Sequence, residues 1–187
     1  RGQEVGFVLQ DALASVDPLR TVGQEIEESL TADGKWRGLR NRAARRQQVM
    51  ELLKSTSVPE PEIRARRRAN ELSGGLRQRA LVASAIALNP RIVIADEPTT
   101  ALDVTIQVQI LALLEQLQKE DNMAVLMISH DLNLGRNFAD RVGVMQQGQP
   151  IELKKTQQLL IIRQGEMPAN STTDNYTIKL LFLTSYN

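Results

Sequence analysis

Two continuous runs of apolar residues, at positions 92–95 and 124–128, are the clearest pattern along the 187-residue chain. Each run predicts a strand buried on both faces, as in a parallel sheet. Between the runs, apolar residues recur at helical spacing over positions 104–119, and Asp103 is placed to cap the helix that this spacing predicts. Such strand–helix–strand alternation is typical of an α/β fold. Shorter patterns predict four more elements: strands over residues 5–9, 141–145 and 149–153, and a short helix over residues 131–140.

The first half of the chain differs, because residues 13–89 contain no pattern typical of a strand. The pattern is helical and strongly charged over residues 22–53, and a basic stretch over residues 62–69 is also helix-like. A further helix is predicted to begin at Ser73, whose side chain can cap it, and to end before the Asn-Pro pair at residues 89–90. We therefore predict a helical subdomain inserted into an α/β core.

Composition and charge exclude several classes of protein. The chain is 42% hydrophobic and 24% charged with a net charge of +1, which is ordinary for a globular protein. It has no cysteine, which excludes disulfides and thiolate metal sites, and no apolar run of about 18 residues that would predict a membrane-spanning helix. Arginine-rich stretches lie at residues 37–46 and 64–68, but aromatic residues are only 3% of the chain. Because bases need stacking platforms, we predict a solvated helical face and no nucleic-acid partner.

Two adjacent acids, Asp96 and Glu97, directly follow the first apolar run. Ligands of open α/β sheets bind beyond the carboxyl ends of the strands, so both acids are expected at a ligand site. Asp96 is a candidate Mg²⁺ ligand, because Mg²⁺ prefers oxygen ligands and keeps much of its water shell. Glu97 is a candidate for orienting and deprotonating a water that attacks a terminal phosphate. Two merely solvated acids are the weaker interpretation in this setting.

Three further features point to the same chemistry. Ser73 and the two glycines after it begin a predicted helix, and exposed amides at a helix N-terminus favour phosphate. His130, the single histidine, follows the second apolar run and could contact a terminal phosphate. Gln10 ends the predicted strand at residues 5–9, where its amide could ligate Mg²⁺ or position a water, although alone it would be read as a surface residue.

Nowhere in the 187 residues is there a Gly-x-x-x-x-Gly-Lys sequence followed by Ser or Thr, the loop that cradles nucleotide phosphates.

Taken together, these motifs resemble those of the ATP-binding subunits of ABC transporters, over residues 5–152. The resemblance assigns them to five family motifs: residues 72–75 with Gln78 to the signature motif, 92–97 to the Walker B strand, 101–103 to the D-loop, His130 to the switch histidine and Gln10 to the Q-loop glutamine. Residues 10–23 and 96–105 are similar to the corresponding segments of oligopeptide, dipeptide and nickel importers.

The resemblance implies a mechanism in which two such subunits face each other head to tail with ATP between them. It implies catalytic roles for Glu97 and His130, and Mg²⁺ ligation by Asp96 and Gln10. The nucleotide of the facing subunit would be contacted by Ser73, Gly74, Gly75, Gln78 and Asp103. The implied partners are a second ATPase subunit, membrane permease subunits and, indirectly, a solute-binding protein. The implied location is peripheral, on the cytoplasmic face of the cell membrane.

The resemblance also implies the fold: part of a P-loop NTPase (RecA-like) core with an inserted α-helical ABC subdomain, the N-terminal P-loop portion being missing. We expect the end of the N-terminal core part with the Q-loop at residues 1–12, the helical subdomain at 13–89, the core with Walker B, D-loop and switch histidine at 90–153, and a tail at 154–187. We expect this chain alone to bind ATP weakly or not at all. Strand edges are expected to be left unpaired, and the apolar residues 180–183 either pack on the core or belong to an aberrant tail.

Two alternatives remain open. One is a non-transport ABC ATPase acting in translation or DNA repair, although the interval between residues 10 and 72 is too short for the long coiled coils of repair ATPases. The other is a catalytically inactive remnant that serves as an interaction module.

Overall fold

A mixed six-stranded β-sheet organises the computed structural model, which describes residues 4–10, 16–32, 34, 42–100, 102–131, 139–146, 149–155 and 179–184. Its strands are β1 (Val5–Val8), β2 (Ile92–Asp96), β3 (Ala124–Ser129), β4 (Arg141–Gln146), β5 (Gln149–Lys155) and β6 (Lys179–Thr184). The helices are α1 (Val22–Thr31), α2 (Arg42–Ser55), α3 (Pro61–Arg64), α4 (Gly74–Ile86) and α5 (Val104–Asp121), with a 3₁₀ helix at Ala69–Glu71. The strand order is β1-β2-β3-β6-β4-β5.

Strands β1, β2 and β3 are parallel neighbours, which the two apolar runs predicted for β2 and β3. Val8 lies beside Ala95, and Asp96 lies beside Ile128, so the three carboxyl ends share one edge of the sheet. Burial is complete on only one face, because buried residues in β2 and β3 alternate with partly buried or exposed ones. The prediction of strands buried on both faces is therefore correct for one face and too strong for the other.

Strand β6 lies between β3 and β4 and is antiparallel to both. Ser129 of β3 and Val144 of β4 both lie beside Leu180. Residues 180–183, for which packing on the core was one of two open alternatives, thus belong to an inner strand of the sheet. Both edges of β3 are paired as a result, so the expectation of unpaired edges is wrong for this strand.

The segment between β1 and β2, predicted as a helical subdomain over residues 13–89, is helical, and among its described residues the only β pairing is an isolated bridge between Thr21 and Arg68. The helix predicted over residues 62–69 is, however, mostly wrong, because α3 ends at Arg64. The reason is tertiary: the carbonyl oxygens of Ala65 and Arg67 accept hydrogen bonds from the amides of Gly23 and Val22, at the start of α1. Those carbonyls are then not used to continue the helix.

Helix α4 begins as predicted, with Ser73 as its N-cap, and ends three residues before Asn89, which has a positive φ of 52°. It packs closely on β1, because a Cβ atom at Gly6 would lie 2.3 Å from the carbonyl oxygen of Ala85. This contact fixes the helical segment against the sheet. The predicted helix over residues 131–140 lies almost entirely outside the described residues.

No helix in the described part of the chain combines the length and the apolar character that crossing a membrane requires.

Candidate functional site

Glu97 lies directly beyond β2, at the edge of the sheet where the parallel strands end. Its backbone amide donates a 2.9 Å hydrogen bond to the carbonyl oxygen of Ile128 in β3, and its φ of 49° is in the left-handed region. The residue is 8% exposed. A left-handed non-glycine residue turns the chain sharply, so the carboxylate is held beside the end of β3.

The Glu97 carboxylate is hydrogen-bonded to two side chains of its own chain. His130 Nδ1 lies 2.9 Å from both carboxylate oxygens, and Thr100 Oγ1 donates to Oε2 at 2.9 Å. The hydrogen bond that the Glu97 carboxylate accepts from the imidazole, together with the negative charge of Glu97, raises the pKa of His130 above its usual value of 6.5. The side chain of His130 remains 67% exposed. A buried carboxylate and an exposed imidazole therefore form one hydrogen-bonded unit with a face toward solvent.

Asp96 and Gln10 are the predicted metal ligands. Asp96 ends β2 and is half-buried, and Gln10 lies two residues beyond the end of β1, exposed. The described residues contain no group of three or more His, Cys, Asp or Glu side chains that could hold a metal. Mg²⁺ needs no such group, because it is held by one or two carboxylates together with waters and substrate phosphates. One carboxylate and one amide at the carboxyl edge fit a site of that kind.

The signature segment at residues 73–75 begins α4. Ser73 is exposed, and its Oγ accepts a long, 3.5 Å hydrogen bond from the amide of Leu76. A Cβ at Gly75 would lie 2.8 Å from Ile106 Cγ2, and one at Gly74 would lie 3.0 Å from Leu102 Cδ2. The two glycines thus have a packing role against the start of α5, which the sequence did not reveal.

Gln78, predicted with the signature motif, lies one turn further into α4. The residue is 5% exposed, and its Nε2 is buried without a hydrogen-bond partner among the described residues. Gln78 therefore faces the interior and does not share the exposed surface of Ser73. Its contact with a nucleotide stays a prediction.

Asp103 is the N-cap of α5, as predicted, and accepts a 3.0 Å hydrogen bond from the amide of Ile106. It is exposed, so its carboxylate also faces solvent. The turn before it is held by Gln107, whose Nε2 donates to the carbonyl oxygens of Thr99 and Leu102 at 3.3 and 3.1 Å.

Thr100 and Gln107 were missed by the sequence analysis. A threonine three residues after a glutamate is a weak local signal of a turn contact, and a glutamine inside an amphipathic helix carries no signal at all.

The family model and two relatives that match this chain all concern transport proteins. Residues 1–100 match the family model described as ABC transporter. The oligopeptide transport ATP-binding protein OppD of Bacillus subtilis is 45% identical over 152 residues, which are 81% of this chain and 41% of that protein. The dipeptide transport ATP-binding protein DppD of Escherichia coli is 44% identical over 151 residues, 81% of this chain and 45% of that protein. The chain thus spans less than half the length of these relatives.

Solved structures of ATP-binding cassette proteins are also similar to this chain. The dimeric post-hydrolysis state of the ATP-binding cassette MJ0796, bound to ADP and Pi, is 35% identical with a TM-score of 0.71, covering 83% of this chain and 64% of that one. The cbiO1 protein of Clostridium perfringens, part of the ABC transporter complex cbiONQ, has a TM-score of 0.72 at 24% identity, over 87% of this chain and 61% of that one, and supports the fold alone.

Proposed function

This chain belongs to the ABC transporter family, whose model its first 100 residues match, and we propose that it is part of an ATP-hydrolysing subunit that powers an importer of peptides or related small solutes. The family resemblance and the α/β cassette fold expected from the motifs are confirmed. The similarity to oligopeptide and dipeptide transport proteins supports the substrate class.

The observation that carries this proposal is the unit formed by Glu97, His130 and Thr100 at the carboxyl edge of β2 and β3. A carboxylate has about four acceptor positions, and Thr100 and His130 use only part of them. The remaining positions can accept a hydrogen from a water and orient it for attack on a terminal phosphate. His130 is exposed beside the same carboxylate, where its imidazole can approach that phosphate.

The other predicted residues are proposed to bind Mg²⁺ and the nucleotide. Asp96 and Gln10 would hold Mg²⁺, which would neutralise phosphate charge during the reaction. The residues proposed to contact the nucleotide of a facing ATPase subunit are Ser73, Gly74, Gly75, Gln78 and Asp103. Exposure of Ser73 and Asp103 supports this assignment, and burial of Gln78 makes its role the weakest of the five.

A cavity of about 340 Å³ lies between β1, α1 and α4. Its lining includes Phe7 and Leu9, which are 46% and 49% exposed, and Leu81 and Leu88 of the α4 region. We place the contact with a membrane permease subunit at this largely apolar opening. The subunit would then sit on the cytoplasmic face of the membrane, with a solute-binding protein acting only through the permease.

We also propose the division of the chain that the sequence predicts. Its parts are the end of the N-terminal core part at residues 1–12, the helical subdomain at 13–89, the core at 90–153 and a tail at 154–187. Since the 187 residues contain no P-loop sequence, we also propose that they hydrolyse no ATP by themselves. A phosphate-binding lysine would have to be supplied by another polypeptide segment.

ATP turnover tests the proposal, measured on the complete gene product containing these residues and on residues 1–187 alone. We expect turnover by the complete product only, and a loss of about 100-fold or more in Glu97→Gln, because general-base and water-orienting groups contribute about 10²–10⁴-fold. Glu62→Gln, a change at an exposed acid of α3, is the matched control. Full activity of Glu97→Gln would refute the catalytic role. An inactive complete product that still binds an intact ATPase would favour an interaction module.

A further inference from the structure

The turn that follows Glu97 is tied together by a short series of hydrogen bonds. The amide of Thr100 donates to the carbonyl oxygen of Glu97 at 3.1 Å, and the amide of Leu102 donates to that of Thr99 at 3.2 Å. Thr99 is 3% exposed. The described residues on the two sides of position 101 are therefore held close to each other.

Thr100 connects this turn to the carboxylate itself. Its hydroxyl bonds Glu97 Oε2 at 2.9 Å, while His130 Nδ1 lies equally close to both oxygens. The terminal torsion of a glutamate is broad, so a single partner equidistant from both oxygens does not fix the rotation of the carboxylate. The Thr100 bond distinguishes the two oxygens, because it occupies Oε2 and leaves Oε1 with more free acceptor capacity.

Gln107 connects the same turn to α5. Both hydrogens of its side-chain amide are used, since Nε2 donates to the carbonyl oxygens of Thr99 and Leu102. These two residues flank Thr100 and the residue after it. Helix α5 is anchored in the core by Ile110 and Leu114, which are fully buried. A rigid helix thus holds the turn, and the turn holds the carboxylate.

We propose that Thr100 and Gln107 are positioning residues, which set the rotation of the Glu97 carboxylate so that Oε1 receives the attacking water, an assignment that rests on the proposed function. Glu97 itself has a left-handed backbone, and such residues persist only where the surroundings over-determine them. Misplacement of a reacting group by about 1 Å can cost about 100-fold in rate, so contacts that fix one torsion have catalytic value.

The position of the carboxylate can be read from His130 without any catalysis. His130 is the only histidine of the chain, so an untagged protein gives a single imidazole spin system. With Nδ1 against a carboxylate, the neutral ring should carry its proton on Nδ1, and long-range ¹⁵N–¹H correlation spectra distinguish the two tautomers. The measurement is made on residues 1–187, with the backbone amide spectrum as the check of folding.

We expect Thr100→Val, which removes the hydroxyl at nearly constant volume, to shift the ring nitrogens toward the Nε2–H tautomer. Thr100→Ser should restore the wild-type pattern, and Gln107→Met should give a smaller shift in the same direction. The control is Thr105→Val, at an exposed threonine of α5, which should change nothing. Backbone amide spectra verify folding for each variant. Unchanged ring nitrogens in Thr100→Val, whether or not Glu97→Gln changes them, would overturn the proposal.

Kinetics on the complete gene product separate this proposal from the proposed function. We expect Thr100→Val to lower kcat about tenfold with KM for ATP unchanged, and Thr100→Ser to recover most of it, because the contact concerns only the reacting water. If the complete product carrying Glu97→Gln is fully active, the catalytic role proposed for Glu97 fails whatever the spectra show. If Glu97→Gln is inactive but Thr100→Val keeps full kcat, only the positioning role is refuted.

Discussion

The carboxylate unit beyond β2 and the signature segment at the start of α4 are built in opposite ways. Glu97 is buried and bonded to Thr100 and His130 of its own chain. Ser73, by contrast, is exposed and makes only a long 3.5 Å cap. The first region is assembled within one chain, whereas the second presents its polar atoms outward. A site whose second half acts on a neighbouring subunit would need this division.

The two regions meet at the start of α5. Leu102 and Ile106 pack against the signature glycines, and Gln107 holds the turn that carries Thr100. A change in either region should therefore be transmitted through about one turn of one helix. The following predictions test that connection, in order of decreasing expected effect.

Gly75→Ala should give the largest change in stability. The added Cβ would lie 2.8 Å from Ile106 Cγ2, on a stiff β-branched side chain. Overpacking costs about 1–3 kcal/mol, which exceeds the helix-propensity gain of at most about 1 kcal/mol. Denaturant unfolding measures the difference.

Two further variants sharpen this prediction. Gly74→Ala should cost less, because its contact is the flexible end of Leu102 at 3.0 Å. Ile106→Ala removes the clashing methyl. The double variant Gly75→Ala/Ile106→Ala should therefore lose less unfolding free energy than the two single variants lose together. Simple additivity would show that the helices do not pack in this way.

The N-cap of α5 should stabilise the fold more than the N-cap of α4 does. Asp103→Ala should destabilise the fold by about 1 kcal/mol, since it removes a 3.0 Å cap from α5. Ser73→Ala should cost less than half of that, about 0.5 kcal/mol at most, because its cap is at the limit of hydrogen-bonding distance. Asp103→Asn keeps an acceptor and serves as the control. Equal costs for the two alanine variants would contradict a signature segment held more loosely than α5.

The smallest effect is the pH dependence contributed by His130. Glu97 raises the pKa of His130 in the folded state, so the protonated ring stabilises the fold. This contribution is complete below the unfolded-state pKa of about 6.5 and is lost as the pH rises through the higher folded-state pKa. Proton NMR titration of the single imidazole should show a higher pKa in the wild type than in Glu97→Gln. Identical pKa values would mean that the Glu97–His130 bond is absent in solution.

Much of the fold followed from local pattern. The apolar runs at residues 92–95 and 124–128 became β2 and β3, and Ser73 and Asp103 cap the helices they were expected to cap. These features depend on residues within a few positions of one another, and such short-range preferences are visible in the sequence. The location of Asp96, Glu97 and His130 followed as well, because residues after parallel strands meet at one edge.

Only the tertiary structure decided the contacts between distant segments. Strand β6 lies between β3 and β4 because it pairs with both, although β3 is distant from it in the sequence. Helix α3 ends at Arg64 because amides at the start of α1 donate hydrogen bonds to the carbonyl oxygens that follow it. The packing of Gly75 on Ile106 is of the same kind, as is the hold of Gln107 on the turn beside Glu97. A side chain's own sequence neighbourhood determines which element it joins, whereas the partner that it meets depends on how the elements are brought together.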